Sequence, residues 1–336
     1  MNRTKLQILL LSLLMLSGPA RAAEPGEHAI AISPWFTETF LDFREDVAEA
    51  ARDGKRLMVY FGQDGCPYCR ELIQTNFSQK AIVDKTRRHF TAIALNIWGD
   101  REVTWTDGRK FSEKQFAAFL RVQFTPTLLF FDERGGVVAR LNGYYPPHRF
   151  EAALDYVAAR MESRLSLAEH LRSAARESAS PAMHEEAFFL KSPYDLRRKQ
   201  DKPLAVLFET PYCAACDELH REGFRRREIR VLLARFDVAR FALHEPTAII
   251  APDAARTNAA DWARALGIGY APSIVFFDAS GKEVFRVESY LRAFHLRAAL
   301  EYVASGAYRR EPSFQRFVQD RARAMRDSGQ AVDLWR

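Results

Sequence analysis

Leu57-Met58-Val59-Tyr60-Phe61-Gly62-Gln63-Asp64-Gly65-Cys66-Pro67-Tyr68-Cys69 is the stretch on which the fold turns: a short apolar run, a polar turn, then two closely spaced cysteines. The run at 57–61 suits a buried central strand, and the residues from Cys66 onward read as a helix. Cys66 therefore falls at a helix N-terminus. There the free backbone N–H groups and the positive end of the helix dipole stabilise a thiolate, the form of cysteine that attacks a disulfide. Cys66 is the candidate nucleophile. Cys69, one helical turn on, is the candidate resolving cysteine, which attacks the mixed disulfide and lets the partner go.

The same stretch occurs twice. Gly54-Lys55-Arg56-Leu57-Met58-Val59-Tyr60-Phe61 matches Asp201-Lys202-Pro203-Leu204-Ala205-Val206-Leu207-Phe208, and both lead into a Cys-x-x-Cys, the second being Cys213-Ala214-Ala215-Cys216. Thr125-Pro126-Thr127-Leu128-Leu129-Phe130-Phe131-Asp132 then matches Ala271-Pro272-Ser273-Ile274-Val275-Phe276-Phe277-Asp278, and Leu154-Asp155-Tyr156-Val157 matches Leu300-Glu301-Tyr302-Val303. Three ordered blocks at a near-constant spacing are the mark of two copies of one fold. Cys213 and Cys216 take the same two roles in the second copy.

Within each copy strand and helix patterns alternate. Residues 90–97 read as a second strand, and 78–88 as a helix between the two. Ser112 with Gln115 resembles a capping box opening a helix that ends near Arg121. Residues 127–131 and 137–141 read as strands around Asp132-Glu133-Arg134-Gly135-Gly136, a hairpin turn, and Pro147 opens a closing helix through about Arg160. The reading is of two α/β domains, each a central mixed sheet flanked by helices, at 23–160 and 194–306. Residues 161–193 form a helical linker broken at Ser178-Ala179-Ser180-Pro181, and 307–336 a C-terminal helical tail around Phe314, Phe317 and Val318 whose simplest role is to dock on the second domain.

Composition bounds the function. Of 336 residues 48% are hydrophobic and 27% charged, as in globular proteins. Residues 1–22 read as a signal peptide, with Arg3 and Lys5, an apolar stretch over 6–16 and the small-residue site Ala20-Arg21-Ala22; the expected location is periplasmic or secreted, without stable membrane insertion after cleavage. The formal charge of +6 falls when that leader is removed, which is too mild for nucleic-acid binding. The basic residues over 221–230 stand among acids and read as a solvated helix face. All four cysteines sit in the two pairs, which leaves none to staple distant elements and points to functional sulfur chemistry.

Strand, Cys-x-x-Cys, helix and a later x-Pro-x opening a strand resemble the thioredoxin superfamily over nearly all of 35–160 and 185–306. The resemblance implies a cis-proline loop facing the sulfurs, and Pro126 and Pro272 match it. It also implies a client-binding surface made of Pro67, Tyr68, Thr125 and Ala271. Cys66-Pro67-Tyr68-Cys69 is the motif of glutaredoxins too, but the flanking blocks look more like exported bacterial thioredoxins of the sulfur-oxidation type. Such a resemblance implies exchange with thiols and disulfides of client proteins, no cofactor and no metal, and a membrane electron donor or acceptor that resets the cysteines. The Thr125 hydroxyl, which Ala271 lacks, would favour the first site.

Two departures stand out. The family places a buried acid six residues before the first cysteine; here those positions hold Tyr60 and Leu207. Asp64 and Glu209 lie nearby and read as exposed loop acids, and His220 as a helix-surface residue. The second motif also lacks proline and histidine between its sulfurs. Direction stays open: stabilising the thiolate favours the reduced enzyme and an oxidase, while Pro67 removes one N–H from that thiolate. The resemblance to exported reductases implies reduction or isomerisation, with oxidation as the alternative. A zinc site shared between the pairs is disfavoured by their separation, a copper chaperone would need a third ligand, and a non-redox binding module remains a further alternative. Tyr144 and Tyr290 read as core or edge packing, and Trp98-Gly99-Asp100 as either a partner surface or a packed loop anchor.

Overall fold

A computed structural model describes residues 30–173, 179–197, 202–330, 332 and 334. The leader expected at 1–22 lies outside the described residues, as does part of the linker.

In chain order the first repeat holds α1 (Phe43–Arg52), β1 (Arg56–Gly62), α2 (Pro67–Glu71), α3 (Lys80–His89), β2 (Phe90–Asn96), β3 (Glu102–Thr104), β4 (Lys110–Ser112), α4 (Glu113–Phe119), β5 (Thr127–Phe131), β6 (Val137–Asn142), α5 (Pro147–Ala158) and α6 (Leu167–Ser173). A one-turn π-helix, Leu72–Asn76, continues α2. The sheet order is β2-β1-β5-β6, with β1 parallel to β2 and antiparallel to β5. Every residue of β1 is buried, because Leu57, Val59 and Phe61 enter one apolar layer while Met58 and Tyr60 enter the other. A parallel neighbour needs a crossover, and α2 with α3 supplies it, which places Cys66 where the chain leaves the sheet. The β5–β6 hairpin turns as expected: Asp132 Oδ1 accepts from the N–H groups of Arg134 and Gly136, and Gly135 takes a left-handed φ of 81°. The capping box at α4 forms in full, Ser112 and Gln115 each accepting from the other's backbone.

The second repeat holds β7 (Tyr194–Asp195), β8 (Leu204–Glu209), α7 (Ala214–Glu218), α8 (Arg227–Leu233), β9 (Asp237–Ala242), β10 (Ala248–Ile250), β11 (Arg256–Asn258), α9 (Ala259–Ala265), β12 (Ser273–Phe277), β13 (Glu283–Val287), α10 (Ala293–Ala304) and α11 (Phe314–Asp327). Its sheet order, β13-β12-β8-β9, repeats the first. The fold is thus two tandem α/β domains of the expected kind. Residues just before 194 pack on the second sheet: Phe189 bridges to Val238, and the Leu190 N–H donates to the Val238 carbonyl.

The repeat also runs further than the sequence blocks. After α5 comes a 3-10 turn, Met161–Ser163, and then α6; after α10 come Ala307–Arg309 and α11. Tyr156 Oη donates to the Leu165 carbonyl at 2.8 Å, and Tyr302 Oη to the Glu311 carbonyl at 2.7 Å. The linker helix α6 is therefore the counterpart of the tail helix α11.

The two domains face each other. Asn142 Nδ2 donates to Glu288 at 2.6 Å, and a Cβ added to Gly143 would lie 2.4 Å from Ser289 Oγ. Asn142 and Glu288 hold equivalent positions in the two repeats, as do Gly143 and Ser289, so like meets like as across a two-fold axis. Tyr145 packs on Tyr270 with centroids 4.3 Å apart, and Phe124 on Phe285 at 5.7 Å. One apolar cluster runs through both domains and includes Phe314 of α11.

Candidate active site

Cys66 is the N-cap residue of α2. Its Sγ accepts from the Cys69 N–H at 3.0 Å, and Pro67 at the first helical position supplies no N–H. Cys213 caps α7 in the same way, accepting from the Cys216 N–H at 3.1 Å. Each pair is disulfide-bonded, and the described residues hold no free cysteine. The Thr125–Pro126 and Ala271–Pro272 peptides are cis. The Thr125 carbonyl lies 3.3 Å from Cys66 Sγ and the Ala271 carbonyl 3.7 Å from Cys213 Sγ, so the structure brings the cysteines, prolines and preceding residues together twice. Ala271 packs directly on Cys213 and Cys216.

All four sulfurs are enclosed. Cys66 is 4% and Cys213 2% exposed, against 0% and 3% for their partners Cys69 and Cys216. The neighbouring domain closes over the first motif. Tyr68, placed by sequence on the client-binding surface, is buried, its hydroxyl accepting from the Arg292 N–H at 2.8 Å and its ring 5.2 Å from that of His295. Pro67 is buried too. Tyr144 and Tyr290 are half-buried and line one cleft with Tyr68, Ala214 and Ala215. Tyr68 of the first motif and both middle residues of the second thus share a cleft between the domains.

Gln63 ties the first site together. Its Nε2 donates to Thr125 Oγ1 at 3.0 Å and to Gln315 Oε1 at 2.7 Å, while its Oε1 accepts from Trp98 Nε1 and from Gln319 Nε2. Trp98 is therefore a loop anchor. The Thr125 hydroxyl accepts its hydrogen bond from Gln63. The tail helix does dock on the second domain, through Tyr302–Phe317 packing and the Arg321–Glu301 pair, but it also reaches the first domain through Gln315 and Gln319. A cavity of about 300 Å³ lies between α11 and the first motif; Cys66, Pro67 and Thr125 line it together with Leu291, His295 and Val318. His295 Nδ1 has no hydrogen-bond partner among the described residues. Burial, and then the charge of Arg292, press the His295 pKa down to about 4, so its ring is neutral at pH 7.

The acids divide. Asp64 is exposed in its loop, as read from sequence. Glu209 is not: it is 1% exposed at the end of β8, 3.1 Å from His220 Nε2. His220 is likewise buried rather than on a helix surface, with Nδ1 2.9 Å from Glu186. Its ring stacks on His184, which pairs with Asp217 at 2.7 Å. The reason is the strand period: Glu209 follows Leu207 by two, points to the same face beneath α7, and carries into the core a charge that needs a partner. The family position for the acid is 207, and here the acid sits one strand repeat later. In the first domain burial, and then the Asp64 charge, push the Tyr60 phenol well above its usual pKa. Among the described residues no group of three or more His, Cys, Asp or Glu side chains is placed to hold a metal ion, and no helix is long and apolar enough to cross a membrane.

Comparison with known proteins agrees with this architecture. The family model of the Thioredoxin-like domain matches residues 43–158 and again 194–304. Among solved structures, a thioredoxin-fold protein from Helicobacter pylori is 25% identical, over 40% of this chain and 92% of its own, with a TM-score of 0.34. A thioredoxin from Thermus thermophilus is 25% identical, over 35% and 85%, with a TM-score of 0.29. A disulphide isomerase from Xylella fastidiosa Temecula1 is 16% identical, over 36% and 80%, with a TM-score of 0.22. No curated protein matches the chain. With the domain model matched twice, around two cysteine pairs that each cap a helix beside an x-Pro loop, this chain belongs to the Thioredoxin-like domain family.

Proposed function

We propose that the chain is an exported thiol–disulfide oxidoreductase that reduces or isomerises disulfides of client proteins and is recharged by a membrane electron donor, in the manner of exported thioredoxins of the sulfur-oxidation type. One observation carries the reading: in each domain the first cysteine caps a helix, its sulfur accepting a backbone N–H, beside a loop carbonyl under 4 Å away. A thiolate at Cys66 is stabilised there. It attacks a client disulfide, the far client sulfur leaves as thiolate, and a mixed disulfide forms. Cys69 then loses its proton and attacks Cys66 Sγ, so that two electrons pass to the client and the Cys66–Cys69 disulfide closes. Run backwards, the same steps oxidise a client dithiol, which is the alternative direction.

The test is a trap. Cys69→Ala leaves Cys66 able to attack and unable to let go, so reductant-sensitive adducts should accumulate in the periplasmic or secreted fraction on a chain starting at or near Ala23; Cys66→Ala should trap nothing. Adducts that persist without Cys66 would show the nucleophile to be misassigned. A chain retained whole in the cytoplasm would overturn export.

A further inference from the structure

The tail helix stands where a client of the first site would have to sit. Val318, Gln319 and Ala322 line the same cavity as Cys66, Pro67 and Thr125. Val318 and Ala322 are 6% and 3% exposed, so this face of α11 is covered. Two hydrogen bonds hold the helix over the site, one donated by Gln63 to Gln315 and one accepted by Gln63 from Gln319, and a third runs from Gln315 Nε2 to the Gln123 carbonyl at 3.1 Å. Its other side is fixed to α10 by Arg321 on Glu301 at 2.8 Å and by Phe314 on Tyr302 at 5.4 Å. A related arrangement lies near the second site. Helix α6, from the first repeat, places Ala168 and Leu171 in a cavity of about 320 Å³ with Tyr212 and Ala271, beside Cys213. A Cβ on Gly269 would meet Ala168 Cβ at 3.4 Å. The last helix of the second repeat thus lines a cavity with Cys66 of the first, and the last helix of the first repeat lies against Tyr212 and Ala271, which flank Cys213.

Size then decides what reaches the sulfur. A cavity of about 300 Å³ is at the lower end of small-molecule sites, whereas a folded protein surface meets its partner over roughly 800 Å² per side. We propose that α11 is a selectivity cap over the first redox site: with the helix seated, Cys66 exchanges with low-molecular-weight disulfides and thiols, and a protein disulfide is served only once the helix has moved aside. The inference rests on the thiol–disulfide reading above. The chemistry balances with the small partner alone: the reduced pair plus one disulfide gives the Cys66–Cys69 disulfide plus two thiols, both electrons coming from the dithiol.

The experiment uses the full chain with Cys213→Ala and Cys216→Ala, so that only the first pair titrates. The pair is reduced with dithiothreitol, freed of it, and its reoxidation by 2-hydroxyethyl disulfide or by insulin is followed by thiol trapping. Gln315→Ala with Gln319→Ala, which removes the clasp on Gln63, should raise the insulin rate at least tenfold and shift the ratio of the two rates towards insulin. Ala322→Trp, which fills the cavity, should lower the 2-hydroxyethyl disulfide rate at least tenfold; should that variant fail to fold by circular dichroism, the glutamine pair decides alone. A rate ratio unchanged by loosening the clasp, with both disulfides active, overturns the cap. A reduced pair that neither disulfide reoxidises, in any variant, overturns the oxidoreductase reading instead.

Discussion

Glu209 and His220 show how much one buried pair can matter in a domain otherwise packed with apolar side chains. Breaking a buried ion pair from one side leaves an uncompensated charge, a loss of about 3–5 kcal/mol. His220→Leu should destabilise the chain on that scale, since Glu209 would lose its Nε2 contact and Glu186 its Nδ1 contact. Burial pulls the His220 pKa down, but the hydrogen bonds and charges of Glu209 and Glu186 outweigh it and hold the folded value above the usual one. A raised histidine stabilises fully below its unfolded pKa of about 6.5 and loses that contribution as pH climbs through the folded value. In urea unfolding, the gap between wild type and His220→Leu should therefore be wider at pH 6 than at pH 9; a gap that grows with pH would mean that the ring is buried neutral. The first domain solves the same space differently. A Cβ on Gly62, the counterpart of Glu209, would lie 2.1 Å from Tyr60 Oη, so a phenol fills what a carboxylate fills in the second. The pairing of each cysteine motif with its x-Pro loop was legible in the sequence because it is local to a motif, whereas the burial of Pro67 and Tyr68 was not. The Glu209–His220 pair was not, because an acid that closes an apolar strand looks the same on paper whether its partner is water or a histidine on the following helix.

At the scale of elements, what could be read was whatever carries a strong period or a cap. The fully buried β1 and β5, the Asp132 turn and the Ser112 capping box all announce themselves by composition. The β3–β4 ribbon and the β7-β10-β11 sheet do not, since strands of two or three residues give period-two alternation nothing to repeat over. Nor was the kinship of α6 and α11 visible: Leu167, Ala168 and Leu171 answer to Phe314, Gln315 and Val318 with no residue type shared at any of the three places. What unites them is the tyrosine that ties each preceding loop and the cavity each helix covers. The start of α11 offers a measurement. Ser313 Oγ accepts from the Arg316 N–H as the N-cap, and removing such a cap weakens a helix by about 1 kcal/mol. Ser313→Ala should accordingly raise the alkylation rate of reduced Cys66 by iodoacetamide about fivefold, provided α11 must lift for the reagent to enter. No change in that rate would place the route to the sulfur elsewhere.

At the centre of the interface between the domains, equivalent positions meet. Gly143 is the tightest of these, with φ at 79° and Ser289 Oγ in the place of any side chain. Gly143→Ala meets both the left-handed backbone penalty and the neighbouring hydroxyl, together of order 1–3 kcal/mol. Calorimetry should show the single transition of the wild type giving way to two, as the domains stop melting together; one transition at the wild-type temperature would show that the interface yields without loss. Repeated blocks in the sequence made two domains plain, but not their mutual orientation. That depends on Tyr145 against Tyr270 and Phe124 against Phe285, aromatic pairs whose members each read as ordinary core residues of their own domain.

Because like positions meet across that interface, each domain carries a surface complementary to its twin. Were the two domains separate chains, their pairing would follow mass action and fade on dilution, as any two-fold dimer does. Residues 161–193 remove the concentration from that equilibrium: a connection of this kind keeps the partners at an effective concentration on the order of millimolar, whatever the bulk concentration. At any dilution the pair would stay assembled one molecule at a time.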